Sequence, residues 1–236
     1  MKAALAAPAG RGLLVAECFG PTFQGEGPTA GQEAVFVRLS RCNLSCPGCD
    51  TPYTWDWSRF DPSEVSTRHG VEDLAEWVSA RLATRVVITG GEPLIQQAEL
   101  VRLLRLLPGR KVEIETNGTI APLPELTDLV EAFNVSPKLS GFASSNDHPI
   151  RGDALRALQK SGKARFKFVV SDPSELGEVA TLVEQFGLGE VWVMPEGTRS
   201  GVIIERLRAL ADPVLARGWN LGSRLHVLLW EDERGR

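Results

Sequence analysis

Hydrophobic positions along this chain fall into short blocks whose period alternates between about two and about 3.6 residues. Residues 13–19 read as a strand leading into a glycine-rich turn, 20–27. Residues 34–40 form a second strand, in which Val35, Val37 and Leu39 alternate with Phe36 and Arg38. Residues 71–82 read as an amphipathic helix with Leu74, Trp77, Val78 and Leu82 on one face. A β-branched strand at 85–89 precedes a Leu-rich helix at 96–107, which Pro108-Gly109 stops. Strands follow at 111–115 and 133–136, with a short, poorly defined helix between them. The second half repeats the alternation: helix 153–160, then strand 165–170. Asp172-Pro173-Ser174-Glu175 gives an N-cap, a proline at the first helical position and an acid three residues after the cap. The helix it starts runs to Phe186, with Leu176, Val179, Ala180, Val183 and Phe186 facing inward. A strand at 190–194, a helix at 202–217 and a closing strand at 225–230 complete the series.

Strand followed by helix, about six times, implies an α/β fold with a parallel sheet and crossover helices. So few units with such short helices predict an open, partial (β/α) barrel of about six parallel strands rather than a closed eightfold one. No linker interrupts residues 13–236, so the expectation is one domain, with residues 1–12, rich in Ala, Gly and Pro, as a disordered tail. In such folds chemistry collects at the C-terminal ends of the strands, and the unusual motifs fall there.

Composition changes this picture little. The 236 residues are 43% hydrophobic and 24% charged, with a formal net charge of −4, as in an ordinary globular protein. The charge argues against a broad nucleic-acid footprint. No apolar run is long enough to span a membrane. Of four cysteines, three lie within eight residues. A disulfide framework would spread its pairs, so the clustering points to a reducing cytoplasm and a metal or cluster site.

The cysteine loop reads Cys42-Asn43-Leu44-Ser45-Cys46-Pro47-Gly48-Cys49-Asp50-Thr51. Three thiolates can hold three irons of a 4Fe–4S cubane and leave the fourth open to another ligand. A structural zinc or a packed loop is the alternative, but zinc prefers four N or S ligands and no His lies in the loop. Cys18 reads as a small buried apolar residue. Downstream, Thr89-Gly90-Gly91-Glu92-Pro93 lies between a strand and a helix, where two glycines permit close backbone approach. Glu115-Thr116-Asn117-Gly118, Ser136-Pro137-Lys138 and Met194-Pro195-Glu196-Gly197 end further strands.

Together the cysteine loop and the Gly-Gly-Glu turn resemble the radical S-adenosylmethionine superfamily. That resemblance implies a 4Fe–4S cluster on Cys42, Cys46 and Cys49, with S-adenosylmethionine chelating the open iron. It implies nucleotide contacts from Gly48, Cys49, Asp50 and Gly91, from Ser136, Pro137 and Lys138, and from Val193, Met194, Pro195 and Glu196. One departure stands out: the superfamily usually carries an aromatic residue just before the third cysteine, near the adenine, and here it is Gly48.

Outside that core, Thr22-Phe23-Gln24-Gly25-Glu26-Gly27, Arg38 and Cys49-Asp50-Thr51-Pro52-Tyr53-Thr54-Trp55 closely resemble the 7-carboxy-7-deazaguanine synthases of the same superfamily. The residues suit a carboxylated pterin: Phe23, Gln24, Gly25 and Glu26 for the ring, and Arg38 as a fork for the carboxylate. The resemblance implies a Mg²⁺ on Thr51, substrate contacts from Thr89 and from the carboxylate of Arg236, and proton transfer by Glu115. It implies ring contraction of 6-carboxy-5,6,7,8-tetrahydropterin with loss of ammonia, on the route to 7-deazapurines such as queuosine. It also implies an electron donor such as flavodoxin or ferredoxin, and a homodimer. Two rivals remain open: a glycyl-radical activating enzyme acting on a protein, and a non-catalytic zinc- or cluster-binding module. His69 and His148 read as surface residues in polar loops.

Overall fold

The computed structural model describes residues 11–144, 147–231 and 233–236. Its strands are β1 (Leu13–Phe23), β2 (Glu33–Leu39), β3 (Thr67–His69), β4 (Arg85–Gly90), β5 (Lys111–Thr116), β6 (Ala132–Val135), β7 (Ala164–Val170), β8 (Val191–Pro195) and β9 (Asn220–Leu221). Its helices are α1 (Pro62–Val65), α2 (Val71–Ser79), α3 (Gln97–Arg105), α4 (Pro124–Leu129), α5 (Gly152–Lys160), α6 (Leu176–Phe186), α7 (Ser200–Leu215) and α8 (Leu225–Trp230). All the strands join one sheet in the order β3-β1-β2-β4-β5-β6-β7-β8-β9. From β2 through β4 to β9 every neighbouring pair is parallel. β1 runs antiparallel to both β2 and β3 and adds an edge that the strand–helix count does not anticipate. The first and last strands of the order do not pair, so the barrel is open, as expected.

Period-two alternation divides the strand residues between two faces. On the helix side, Val35, Val37, Leu39, Val86, Ile88, Ile114, Phe133, Phe166 and Phe168 join one large apolar cluster with Leu74 and Val78 of α2 and Leu100 and Leu103 of α3. The concave side is different: Phe36, Arg38, Thr89, Glu113, Glu115, Asn134 and Lys167 face it. Parallel register brings these together laterally, for Arg38 pairs with Thr89 and Glu115 with Asn134.

Several boundaries differ from the sequence expectation. α2 stops at Ser79, so Leu82 lies beyond the helix and is 95% exposed. β1 does not end at Phe19; it continues through a register shift to Phe23 because pairing with β2 continues there, with Thr22 opposite Ala34. His69 is not in a loop but pairs with Leu13 on the edge strand. Residues 225–230 form a helix, α8, instead of a closing strand. A short apolar run carries no decisive period, and here β9 has already taken the position beside β8. Most of the expected tail, residues 1–10, lies outside the described residues. Gly12 is tied down: its amide donates to Glu99 Oε2 at 3.0 Å and its carbonyl accepts from Arg68 at 3.1 Å.

Candidate active site

The C-terminal ends of the parallel strands open into a cavity of about 570 Å³. The cysteine loop leaves β2 and forms one wall, where Cys42, Cys46 and Cys49 are all free thiols bordering the cavity. The Leu44 amide lies 3.5 Å from Cys42 Sγ and Asn117 Nδ2 lies 3.9 Å from it. Burial pushes the Cys42 thiol up to about 12; the Leu44 amide opposes this, and Glu92, Cys49 and Cys46 reinforce it. Three thiolates in this place therefore need cationic partners, and a 4Fe–4S cluster supplies them. Among the described residues no set of three His, Cys, Asp or Glu side chains is arranged to hold a single metal ion. In a cubane each thiolate would meet a different iron.

The Gly-Gly turn after β4 packs directly on this loop. Gly90 has φ +138, and a Cβ on Gly91 would sit 2.1 Å from the Arg41 carbonyl oxygen. The glycines thus serve first to lay β4 against the start of the cysteine loop. Glu92 does not enter the cavity lining. Its fully buried carboxylate accepts from the amides of Leu94 (2.9 Å) and Asn117 (2.7 Å) and from Thr116 Oγ1 (2.8 Å). Burial raises its pKa against those donors. It fixes the ends of β4 and β5 to one another.

Deeper in the cavity the charged side chains form one network. Glu115 accepts from Gln24 Nε2 at 3.3 Å and from Thr89 Oγ1 at 2.7 Å, and Lys167 Nζ lies 4.0 Å from it. Lys167 also pairs with Glu26, and Arg224 bridges Glu26 (3.0 Å) and Asp50 (2.6 Å). Burial alone would raise the Glu26 carboxyl, but Lys167, Arg224 and His226 outweigh it and hold it well below the usual carboxylate range. Burial lowers the pKa of His226, against the opposing pull of the Glu26 carboxylate. Asn134 Oδ1 is buried without a hydrogen-bond partner. Arg38 Nε is bound to Glu17 at 2.7 Å, and among the described residues its terminal nitrogens have no protein acceptor.

Of the residues singled out in the sequence, Phe23, Gln24, Gly25, Glu26, Arg38, Gly48, Asp50, Thr51, Thr89, Gly91, Glu115, Ser136, Pro137, Lys138, Met194, Glu196 and Arg236 border this cavity with the cysteines. Val193 and Pro195 do not. The alternation of β8 turns Met194 inward, and Val193 goes instead into the helix-side core, fully buried. The sequence reading missed Lys167, Asn134, Phe142, Arg224 and His226, all of which border the cavity. Lys167 between Phe166 and Phe168 was a visible signal, being a charge at the alternate position of an apolar strand. His226 was hidden because a strand over 225–230 would not carry it there. Gly25 receives it: the Leu225 amide donates to the Gly25 carbonyl at 2.8 Å, and a Cβ on Gly25 would lie 2.0 Å from His226 Nδ1.

An open parallel barrel with three cysteines at its first parallel strand end is the architecture of a radical S-adenosylmethionine enzyme, and the Radical SAM superfamily profile matches residues 37–170. The 7-carboxy-7-deazaguanine synthase of Pyrobaculum aerophilum is 37% identical over 222 residues, covering 91% of this chain and 94% of that protein. The enzyme of the same name from Hyperthermus butylicus is 37% identical over 228 residues, covering 92% of each. The crystal structure of QueE from Escherichia coli superimposes with a TM-score of 0.66 at 26% identity, covering 91% of this chain and 94% of that one. The chain belongs to the 7-carboxy-7-deazaguanine synthase family of the radical SAM superfamily.

Proposed function

We propose that this protein converts 6-carboxy-5,6,7,8-tetrahydropterin to 7-carboxy-7-deazaguanine with release of ammonia, in the making of 7-deazapurines such as queuosine. The observation that carries the reading is one cavity joining three free thiols to a polar pocket where the terminal nitrogens of Arg38, whose Nε is bound to Glu17, have no protein acceptor among the described residues. Cys42, Cys46 and Cys49 would hold a 4Fe–4S cluster. Gly48, Asp50, Gly91, Ser136, Pro137, Lys138, Met194 and Glu196 would hold S-adenosylmethionine. Thr51, whose hydroxyl lies 3.6 Å from Cys49 Sγ, would hold a Mg²⁺ that keeps most of its waters. Bound there, these groups supply a 5′-deoxyadenosyl radical and a cationic anchor for a carboxylate.

The chain's own residues do the rest. The terminal nitrogens of Arg38 take a carboxylate as a fork. Phe23 offers a ring face at the mouth, where it is 45% exposed. Asn134 Oδ1 and the Gln24–Glu26 turn present acceptors, and a pterin edge presents N–H donors. Glu115, whose two oxygens are held by Thr89, Gln24 and Lys167, would move a proton. The Arg236 terminus borders the same mouth and is kept as a substrate contact. The reading carries with it a one-electron donor such as flavodoxin or ferredoxin, a homodimer and a cytoplasmic setting. Among the described residues no helix is long and apolar enough to cross a membrane.

Anaerobically reconstituted protein with reductant, S-adenosylmethionine and the carboxypterin should give the deazapurine by mass spectrometry. Mg²⁺ should stimulate turnover, and Thr51→Ala should lose most of that stimulation while still binding nucleotide. No deazapurine, with a glycyl radical instead on an added partner protein, would replace this reading by that of an activating enzyme.

A further inference from the structure

The position before the third cysteine, Gly48, has no side chain. A Cβ built there would meet only two heavy atoms within 4 Å beyond its chain neighbours, Phe142 Cδ1 at 3.7 Å and Cε1 at 3.9 Å. Phe142 comes from the loop after β6 and borders the same cavity as Gly48, Cys46 and Cys49. Its ring therefore reaches into the space that a larger residue at position 48 would fill.

Two other rings at this cavity have aromatic neighbours: Phe19 stacks on Phe36 at 4.7 Å, and one face of Phe23 on Trp230 at 6.3 Å. Phe142 has no aromatic or cationic partner among the described residues, so a ring face is left for a ligand. It is also held in place. Its amide donates to the Leu139 carbonyl at 2.9 Å, and its side chain packs on the main core. Ser140 is fixed to Glu178 by two bonds of 2.8 Å, and Ser45 of the cysteine loop donates twice to Asp147 beyond Phe142. The loop after β6 is thus fastened to the cysteine loop on one side of Phe142 and to α6 on the other.

We propose that Phe142 supplies the aromatic surface on which the adenine of S-adenosylmethionine packs, and that Gly48 is small because Phe142 fills its place. The inference rests on the radical S-adenosylmethionine reading and deepens it. A purine gains from a preorganised aromatic face whatever element of the fold provides it.

The test is ligand affinity, measured by anaerobic calorimetry on the reconstituted holoenzyme without substrate. Phe142→Ala should weaken S-adenosylmethionine and 5′-deoxyadenosine roughly tenfold and leave methionine unaffected. Phe142→Leu, which keeps the bulk and loses the ring, should fall between. Iron, sulfide and the visible spectrum of the cluster should match wild type throughout. Gly48→Phe combined with Phe142→Ala should recover most of the lost affinity. Unchanged affinity in Phe142→Ala, an equal loss for methionine, a parallel loss of cluster, or no recovery in the double variant would each overturn the proposal. A wild-type protein that bound S-adenosylmethionine but turned over no carboxypterin would remove the substrate reading and leave this one standing.

Discussion

Arg224 is the residue on which most of the cavity's electrostatics turn. It neutralises Glu26 from the β1–β2 turn and Asp50 from the cysteine loop, and it gives a further bond, of 2.8 Å, to the Gly197 carbonyl. Burial raises the Asp50 carboxyl, but Arg224 holds it below the usual range, as it helps to hold Glu26. Arg224→Gln should destabilise the protein by about 2–3 kcal/mol at pH 7, because partly buried carboxylates lose their partner. The sign of the pH dependence follows from depressed carboxylates. Their stabilisation is present above the unfolded pKa of about 4 and is lost as pH falls through the folded values. The gap between wild type and variant should therefore be full at pH 7 and should narrow below about pH 4 in denaturant titrations. A gap independent of pH would mean that Arg224 acts by packing alone.

At the scale of elements, the contact between the β4 turn and the cysteine loop is the joint that sets the cluster wall. Gly91→Ala would press a Cβ against the Arg41 backbone, which cannot swing aside as a flexible side chain can. It should cost at least about 2 kcal/mol and lower the iron content after reconstitution. Wild-type thermal stability together with wild-type iron would show that the joint gives. The end of α2 makes the opposite case. Leu82, past the helix and exposed, should tolerate Leu82→Ser within about 0.5 kcal/mol in a thermal melt. A sequence reader places Leu82 on the apolar face by its spacing from Trp77 and Val78. The helix stops first, because the chain turns from Ala80 to enter β4 at Arg85.

Across the whole molecule, the concave face has a closed floor and an open mouth. The floor is an ion-pair network: Arg85 reaches Glu113 and Glu131, both at 2.7 Å, and Gln32 at 2.9 Å. Glu113 also accepts from Thr29 at 2.9 Å and Asn134 at 3.1 Å. Both members of the central pair are buried. Glu113→Leu should cost about 3–5 kcal/mol by leaving the Arg85 charge underpaired, with Glu131 limiting the loss. Glu113→Leu with Arg85→Leu should cost less than the two single changes summed, since neither charge is then stranded. A strictly additive double variant in thermal denaturation would show that the pair is not coupled.

What the sequence determined by itself was local. The alternation of Val35, Val37 and Leu39 with Phe36 and Arg38 assigned the faces of β2 before any neighbour was known. The capping box at Asp172–Glu175 forms as read, with both of its reciprocal bonds. The three-cysteine spacing and the Gly-Gly turn were legible because each is written in a few consecutive residues, although what the glycines pack against, Leu39 and Arg41, lies about fifty residues away. The tertiary structure decided everything that depends on distant segments. It turned 225–230 into a helix once β9 had filled the sheet edge. It sent Val193 into the core and Met194 into the cavity. It brought Phe142 to Gly48, and Arg224 to Glu26 and Asp50. Period and caps arise from forces between chain neighbours. The choice of which charge or ring faces another arises only when parallel strands in register bring their ends to one place.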